Sequence, residues 1–72
     1  MKKIIIFMIR KRLGLAKYEN FTFVGQKSKT YYFFNDEALI KVWEESGKTE
    51  LSHVSLNYLL SDEVEIVRKT DG

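Results

Sequence analysis

Apolar positions in this chain fall into short runs separated by charged or polar turns, and the type of residue in each run suggests mostly strands. The longest run, Ile4-Ile5-Ile6-Phe7-Met8-Ile9, is bounded by Lys2-Lys3 and by Arg10-Lys11-Arg12. Being short and rich in β-branched isoleucine, it reads as a strand. Gly14 argues against a continuous helix from Arg10 onward, so the stretch from Gly14 to Asn20 reads as a loop with about one helical turn. Phe21-Thr22-Phe23-Val24-Gly25 then alternates, Gln26-Lys27-Ser28-Lys29 is polar, and Thr30-Tyr31-Tyr32-Phe33-Phe34 resumes a β-type composition. Two such runs joined by a few polar residues beside a glycine predict a β-hairpin.

Residues 36–46 fit two patterns. As a helix they have Asn35 or Asp36 to cap, Leu39, Val42 and Trp43 at three-to-four spacing, and Gly47 after the end. Glu44 and Glu45 oppose that reading, because they sit where the helix dipole disfavours anions. As a strand, Ala38, Ile40 and Val42 share one face and Leu39, Lys41 and Trp43 the other, with Glu45-Ser46-Gly47-Lys48 turning into Thr49–Val54. The strand is preferred and the helix kept as the alternative. Ser55–Leu60 suits a single helical turn, Ser61-Asp62-Glu63 a turn, and Val64–Arg68 a closing strand with Val64 and Ile66 inward. Residues 1–3 and 69–72 are expected to fray.

The fold class expected is therefore mainly β: a small curled sheet or partly open barrel of four to five strands with one short helical turn. The alternative is α+β, with a helix at residues 36–46 packed on a β-sheet. The strand order resembles the SH3-like barrel plan, although no motif of the SH3 family is present.

Composition narrows the function. At 72 residues the chain has room for one small domain, residues 1–72, and its 44% hydrophobic and 14% aromatic content suits a folded core. It contains no cysteine, which excludes disulfides, thiolate metal sites and thiol nucleophiles, and no proline. No apolar run approaches the about 20 residues of a membrane span, and a secretory signal would need a longer apolar stretch. A cytoplasmic protein with no membrane partner is expected. Met8 offers a second start codon.

Charge is lopsided. Residues 1–30 carry eight Lys and Arg against the single acid Glu19, whereas residues 31–72 carry nine acids against four cations. A basic half of this kind can serve a nucleic-acid partner, with Lys11, Arg12, Lys17, Lys27 and Lys29 as the candidate residues. The bland reading is mutual neutralisation within one small body.

Motifs for chemistry are sparse. Gly47-Lys48-Thr49 matches the end of a phosphate loop, but the required leading glycine is replaced by Val42. Asn20-Phe21-Thr22 is a glycosylation triplet by chance. His53 is the sole histidine and reads as a half-buried sheet residue; Ser55, two positions on, could share its face. The pairs Asp36-Glu37, Glu44-Glu45 and Asp62-Glu63 read as solvated turn acids. No catalytic residue, cofactor, metal or small-molecule substrate is expected.

The aromatics carry more. In a hairpin, one of each pair Tyr31/Tyr32 and Phe33/Phe34 must point outward. Tyr31, Tyr32, Phe33, Phe34 and Trp43 are thus the candidate residues for a protein interface. With its lysine- and isoleucine-rich start, the hairpin Phe21–Phe34 and the closing Leu59-Leu60-Ser61-Asp62-Glu63-Val64-Glu65-Ile66-Val67, the chain resembles small uncharacterised accessory proteins of phages and prophages of Gram-positive bacteria. That resemblance implies action through binding and supplies no functional residue. The expected function is a non-enzymatic binding module that contacts a protein partner, or its own copy, through an aromatic hairpin surface. Nucleic-acid binding by the basic half is the alternative.

Overall fold

The computed structural model of the chain describes residues 2–69. The elements run α1 (Lys2–Leu13), β1 (Phe21–Phe23), β2 (Thr30–Phe34), β3 (Leu39–Trp43), β4 (Thr49–Leu51), α2 (Leu56–Leu60) and β5 (Ile66–Arg68). The protein is mainly β: five antiparallel strands form one sheet in the order β4-β3-β2-β1-β5. Strands β1 to β4 follow one another as a meander, and β5 returns to pair with β1. The sheet stays open, with β4 and β5 as its edges.

The hairpin lies where the composition puts it, with Phe21 opposite Tyr32. Its loop is closed by one side chain: the Gln26 carboxamide accepts from the Phe23 N–H at 2.9 Å and donates to the Thr30 carbonyl at 2.6 Å. Residues 39–43 form a strand, which overturns the alternative of a helix at 36–46. Asn35 is indeed a cap, but of a turn. Its Oδ1 accepts from the N–H groups of Glu37 and Ala38 at 2.8 and 2.7 Å, and its own N–H donates to the Ala38 carbonyl, closing a short β2–β3 connection. The same side chain serves either geometry, so the capping signal could not separate them.

The N-terminal run is a correction. Ile4–Ile9 is not a strand but the body of α1. Because every position in the run is apolar, strand and helix periods fit it equally well. Its end does carry a helix signature. Gly14 adopts φ +74°, the Leu15 N–H reaches the Arg10 carbonyl at 3.1 Å, and the Gly14 N–H reaches the Lys11 carbonyl at 3.0 Å. These are the paired bonds of a glycine-terminated helix, with Arg10, Lys11 and Arg12 in the last turn complementing the dipole. Gly14 therefore ends a helix that begins at Lys2. Residues 2 and 3 belong to α1 and the Lys69 N–H donates to the Asn20 carbonyl, while residues 1 and 70–72 of the ends expected to fray lie outside the described residues.

Gly14→Ala is expected to destabilise the protein by about 1–2 kcal/mol, the cost of an L-residue in the left-handed region, read as a lower midpoint in urea unfolding. An added methyl would also meet Arg68 Nη2 at 3.2 Å. That guanidinium already donates to the Gly14 carbonyl and pairs with Glu19 at 2.8 Å, tying the loop after α1 to β5.

The core lies between the helices and one face of the sheet. Ile6 and Ile9 from α1, Leu15, and Leu59 from α2 join Phe21, Phe23, Tyr32, Phe34 and Leu39, with Leu13, Val54, Tyr58, Val64 and Ile66 packed against them. Phe21 is the hub, its ring centroid 5.4 Å from Phe23, 6.0 Å from Tyr32 and 5.6 Å from Phe34. Helix α2 is capped by Ser55, whose Oγ accepts from the Tyr58 N–H at 3.1 Å.

Candidate functional site: the open face of the sheet

Alternation in β2 divides its aromatics. Thr30, Tyr32 and Phe34 are buried toward the helices, whereas Tyr31 and Phe33 are half-buried on the opposite face. Register extends that second face across the sheet. Phe33 pairs with Ile40 and Ile40 with Leu51; Tyr31 pairs with Val42 and Val42 with Thr49; Thr22 pairs with Val67. Directly paired residues share a face in an antiparallel sheet. Leu51 and Val67, on the two edge strands, are 64% and 54% exposed. Of these residues Val42 is buried at 5% exposure, while the others lie outside the core cluster.

An antiparallel sheet with one solvated side ordinarily carries polar residues there. This face instead carries Phe33, Ile40 and Leu51 in one row, while in the next Tyr31 and Val42 stand between Thr22 and Thr49. At one corner the Lys69 ammonium lies 4.6 Å from the centre of the Tyr31 ring and 2.8 Å from Glu44 Oε1.

Tyr18 completes the face. Its φ is +67°, the only positive value at a non-glycine position among the described residues. A bulky residue in that region is held there by its surroundings. Here the Tyr18 N–H donates to the Phe34 carbonyl at 2.9 Å, and its ring packs 5.8 Å from that of Phe33 while remaining 59% exposed. The chain thus holds an unfavourable backbone angle and leaves the ring beside Phe33 largely in water.

The five residues expected at a protein interface therefore separate. Tyr31 and Phe33 lie on the open face. Tyr32 and Phe34 are core residues, 7% and 0% exposed, and are unavailable for contact. Trp43 pairs with Thr30 and so belongs to the helix-covered side, beyond the helices' reach; its indole N–H donates to Glu50 Oε1 at 2.8 Å and Lys41 Nζ sits 4.6 Å from its ring. Ile40, Val42, Leu51 and Val67 join the face through pairings that no local pattern reveals. Nothing in the residues around Tyr18 places it beside Phe33.

The cations named for nucleic acid are not drawn into one patch. Lys11 and Arg12 end α1, Lys17 follows it, and Lys27 and Lys29 lie in the β1–β2 loop. Arg12 donates to the Leu60 carbonyl and pairs with Asp62, Lys17 pairs with Asp36 at 3.3 Å, and Lys29 meets Glu45 at 3.8 Å. His53 is exposed between β4 and α2 rather than half-buried on a strand, and the Ser55 hydroxyl expected beside it is occupied in capping α2.

A groove of about 240 Å³ between α1, β3–β4 and α2 is lined by Ile5, Leu39, Leu51, Val54 and Leu56, among others, with Glu37 its single charged residue. Among the described residues no group of three or more His, Cys, Asp or Glu is placed to hold a metal ion, and no helix is long and apolar enough to cross a membrane. Comparison with protein-family models, with curated protein sequences and with solved structures finds no match.

Proposed function

We propose that the chain is a cytoplasmic, non-enzymatic binding module that contacts another protein through the open face of its sheet. One observation supports this reading above the others: Tyr31, Phe33, Ile40 and Leu51, with Tyr18 at the margin, form half-buried to exposed apolar area around a buried Val42 on the sheet face opposite Tyr32 and Phe34. Contiguous exposed apolar area of this kind marks interaction surfaces in folded proteins. Tyr and Phe are suited to the role because they supply large contact area at a small rotamer cost. Self-association is the simplest form, since a two-fold-related copy presents the same apolar rows.

The double substitution Tyr31→Ser with Phe33→Ser tests it. Sedimentation of the wild type as a dimer, reduced to monomer in the double variant, is the expected result for self-association. For a different protein partner, cross-linking from the native host should give a species that the double variant loses and Trp43→Ser retains. A wild type that sediments only as monomer and cross-links to the same proteins as the double variant rejects the face as an interface.

A further inference from the structure

Helix α1 has a second apolar side that the core does not use. Ile6, Ile9 and Leu13 turn toward the sheet, whereas Ile4, Phe7 and Met8 are 65%, 51% and 60% exposed. At about 100° per residue, Ile4, Phe7, Met8 and Lys11 form one outward ridge, with Lys3 and Arg10 on one shoulder and Arg12 on the other. The helix contains no acidic residue. Phe7 sits between cations: the Arg10 guanidinium carbon is 5.5 Å and Lys11 Nζ 5.6 Å from its ring centre.

We propose that this ridge docks the domain on an anionic lipid bilayer, with α1 lying in the plane of the membrane surface. Ile4, Phe7 and Met8 enter the boundary between headgroups and acyl chains, and Lys3, Arg10, Lys11 and Arg12 meet the phosphates around them. Charge complementarity selects this occupant. A second copy would bring two helices without acids against each other, and the like charges would repel. Nucleic acid would match the cations but leave three large apolar side chains against phosphate and water. A protein partner would need both a groove to receive a convex ridge and an acidic rim, whereas a bilayer surface supplies apolar depth and negative charge together.

The acids beside the ridge do not oppose docking. Lys3 meets Glu37 at 3.5 Å and Arg12 meets Asp62 at 3.2 Å, both as exposed pairs. Exposed pairs contribute little and exchange readily for other anions. At 12 residues α1 is about 18 Å long, too short to span the about 30 Å hydrocarbon layer, so it lies on the surface. The short apolar run that excludes a span, and with it the expectation of no membrane partner, does not bear on a helix lying along the surface. The open sheet face is on the other side of the sheet and stays accessible in this orientation.

Co-sedimentation of the whole chain with phosphatidylcholine vesicles, with and without phosphatidylserine, tests the proposal. The wild type should bind only vesicles containing phosphatidylserine and be released by high salt. Phe7→Ser with Met8→Ser should weaken partitioning more than about tenfold, and Lys11→Ala about fivefold, with circular dichroism unchanged because all three side chains point outward. Tyr31→Ser with Phe33→Ser should bind as the wild type does, which separates this proposal from the protein-binding face. Absence of binding by the folded wild type overturns it, as does binding that survives Phe7→Ser with Met8→Ser. A dimer that this same double variant dissociates, or an acidic protein that it releases in the absence of vesicle binding, also overturns it, by assigning the ridge to another occupant.

Discussion

Phe21→Ala is expected to remove about 3–5 kcal/mol of stability. Phe21 is fully buried and its ring contacts Phe23, Tyr32 and Phe34, so truncation opens a cavity among three aromatic neighbours fixed on two strands. Strand-borne rings cannot collapse into that space without breaking the β1–β2 register, so both the transfer cost and the cavity cost apply. A chain of 72 residues has on the order of 4–11 kcal/mol in total. The variant should thus melt at least about 12 °C lower, and part of the population should be unfolded at room temperature. Phe7→Ala is the matched control. That ring is 51% exposed, and its loss should shift stability by no more than about 0.5 kcal/mol. Equal effects of the two substitutions in calorimetry would show that the aromatic cluster is not the centre of the core.

Ile9→Ala is expected to cost about 2–5 kcal/mol, and Met8→Ala, one residue away, no more than about 0.5 kcal/mol. Ile9 is 0% exposed and inserted in the core from α1, whereas Met8 is 60% exposed on the opposite side. A scan along the helix should show losses at Ile6, Ile9 and Leu13, a spacing of three and four, with small effects at Ile4, Phe7 and Met8. A strand would give losses at every second position. Chemical denaturation of the alanine series therefore reads the element type directly, and an alternating pattern would refute the helix.

How far the chain discloses its own structure differs from segment to segment. The hairpin of residues 21–34 is legible because both signals it needs are local: β-type runs and a polar connection beside Gly25, whose φ is +85°. The β3–β4 turn is equally local, Gly47 taking φ +72° and its N–H reaching the Trp43 carbonyl at 2.8 Å. Strand β3 is favoured over a helix by the placement of Glu44 and Glu45, by the alternation of residues 38–43 and by the turn at Glu45-Ser46-Gly47-Lys48. Helix α1 could not be read, since six consecutive apolar residues satisfy both periods and isoleucine weights the reading toward β. The signal that could have found it was Gly14-Leu15 after three cations, which describes a helix end rather than the start of a loop.

For the candidate site, local alternation establishes that one residue of Tyr31/Tyr32 and one of Phe33/Phe34 must face outward. It does not say which. That is decided when α1 and α2 settle on the side of Tyr32 and Phe34, and the other face becomes the uncovered one. Its remaining members, Ile40, Leu51 and Val67, come from strands up to 34 residues from Phe33 in the chain and are assembled by register alone.

The amino-acid sequence by itself determines the β character of residues 21–34, the absence of thiol chemistry and the uneven charge, because each depends on composition or on neighbours within a few residues. The tertiary structure decides that residues 2–13 are helical, which side of the sheet they cover, and hence which aromatics remain in reach of a partner. Those outcomes follow from burial against distant strands: the free energy of placing Ile6, Ile9 and Leu13 against Phe21 and Phe34 outweighs the small local preference of isoleucine for extended backbone.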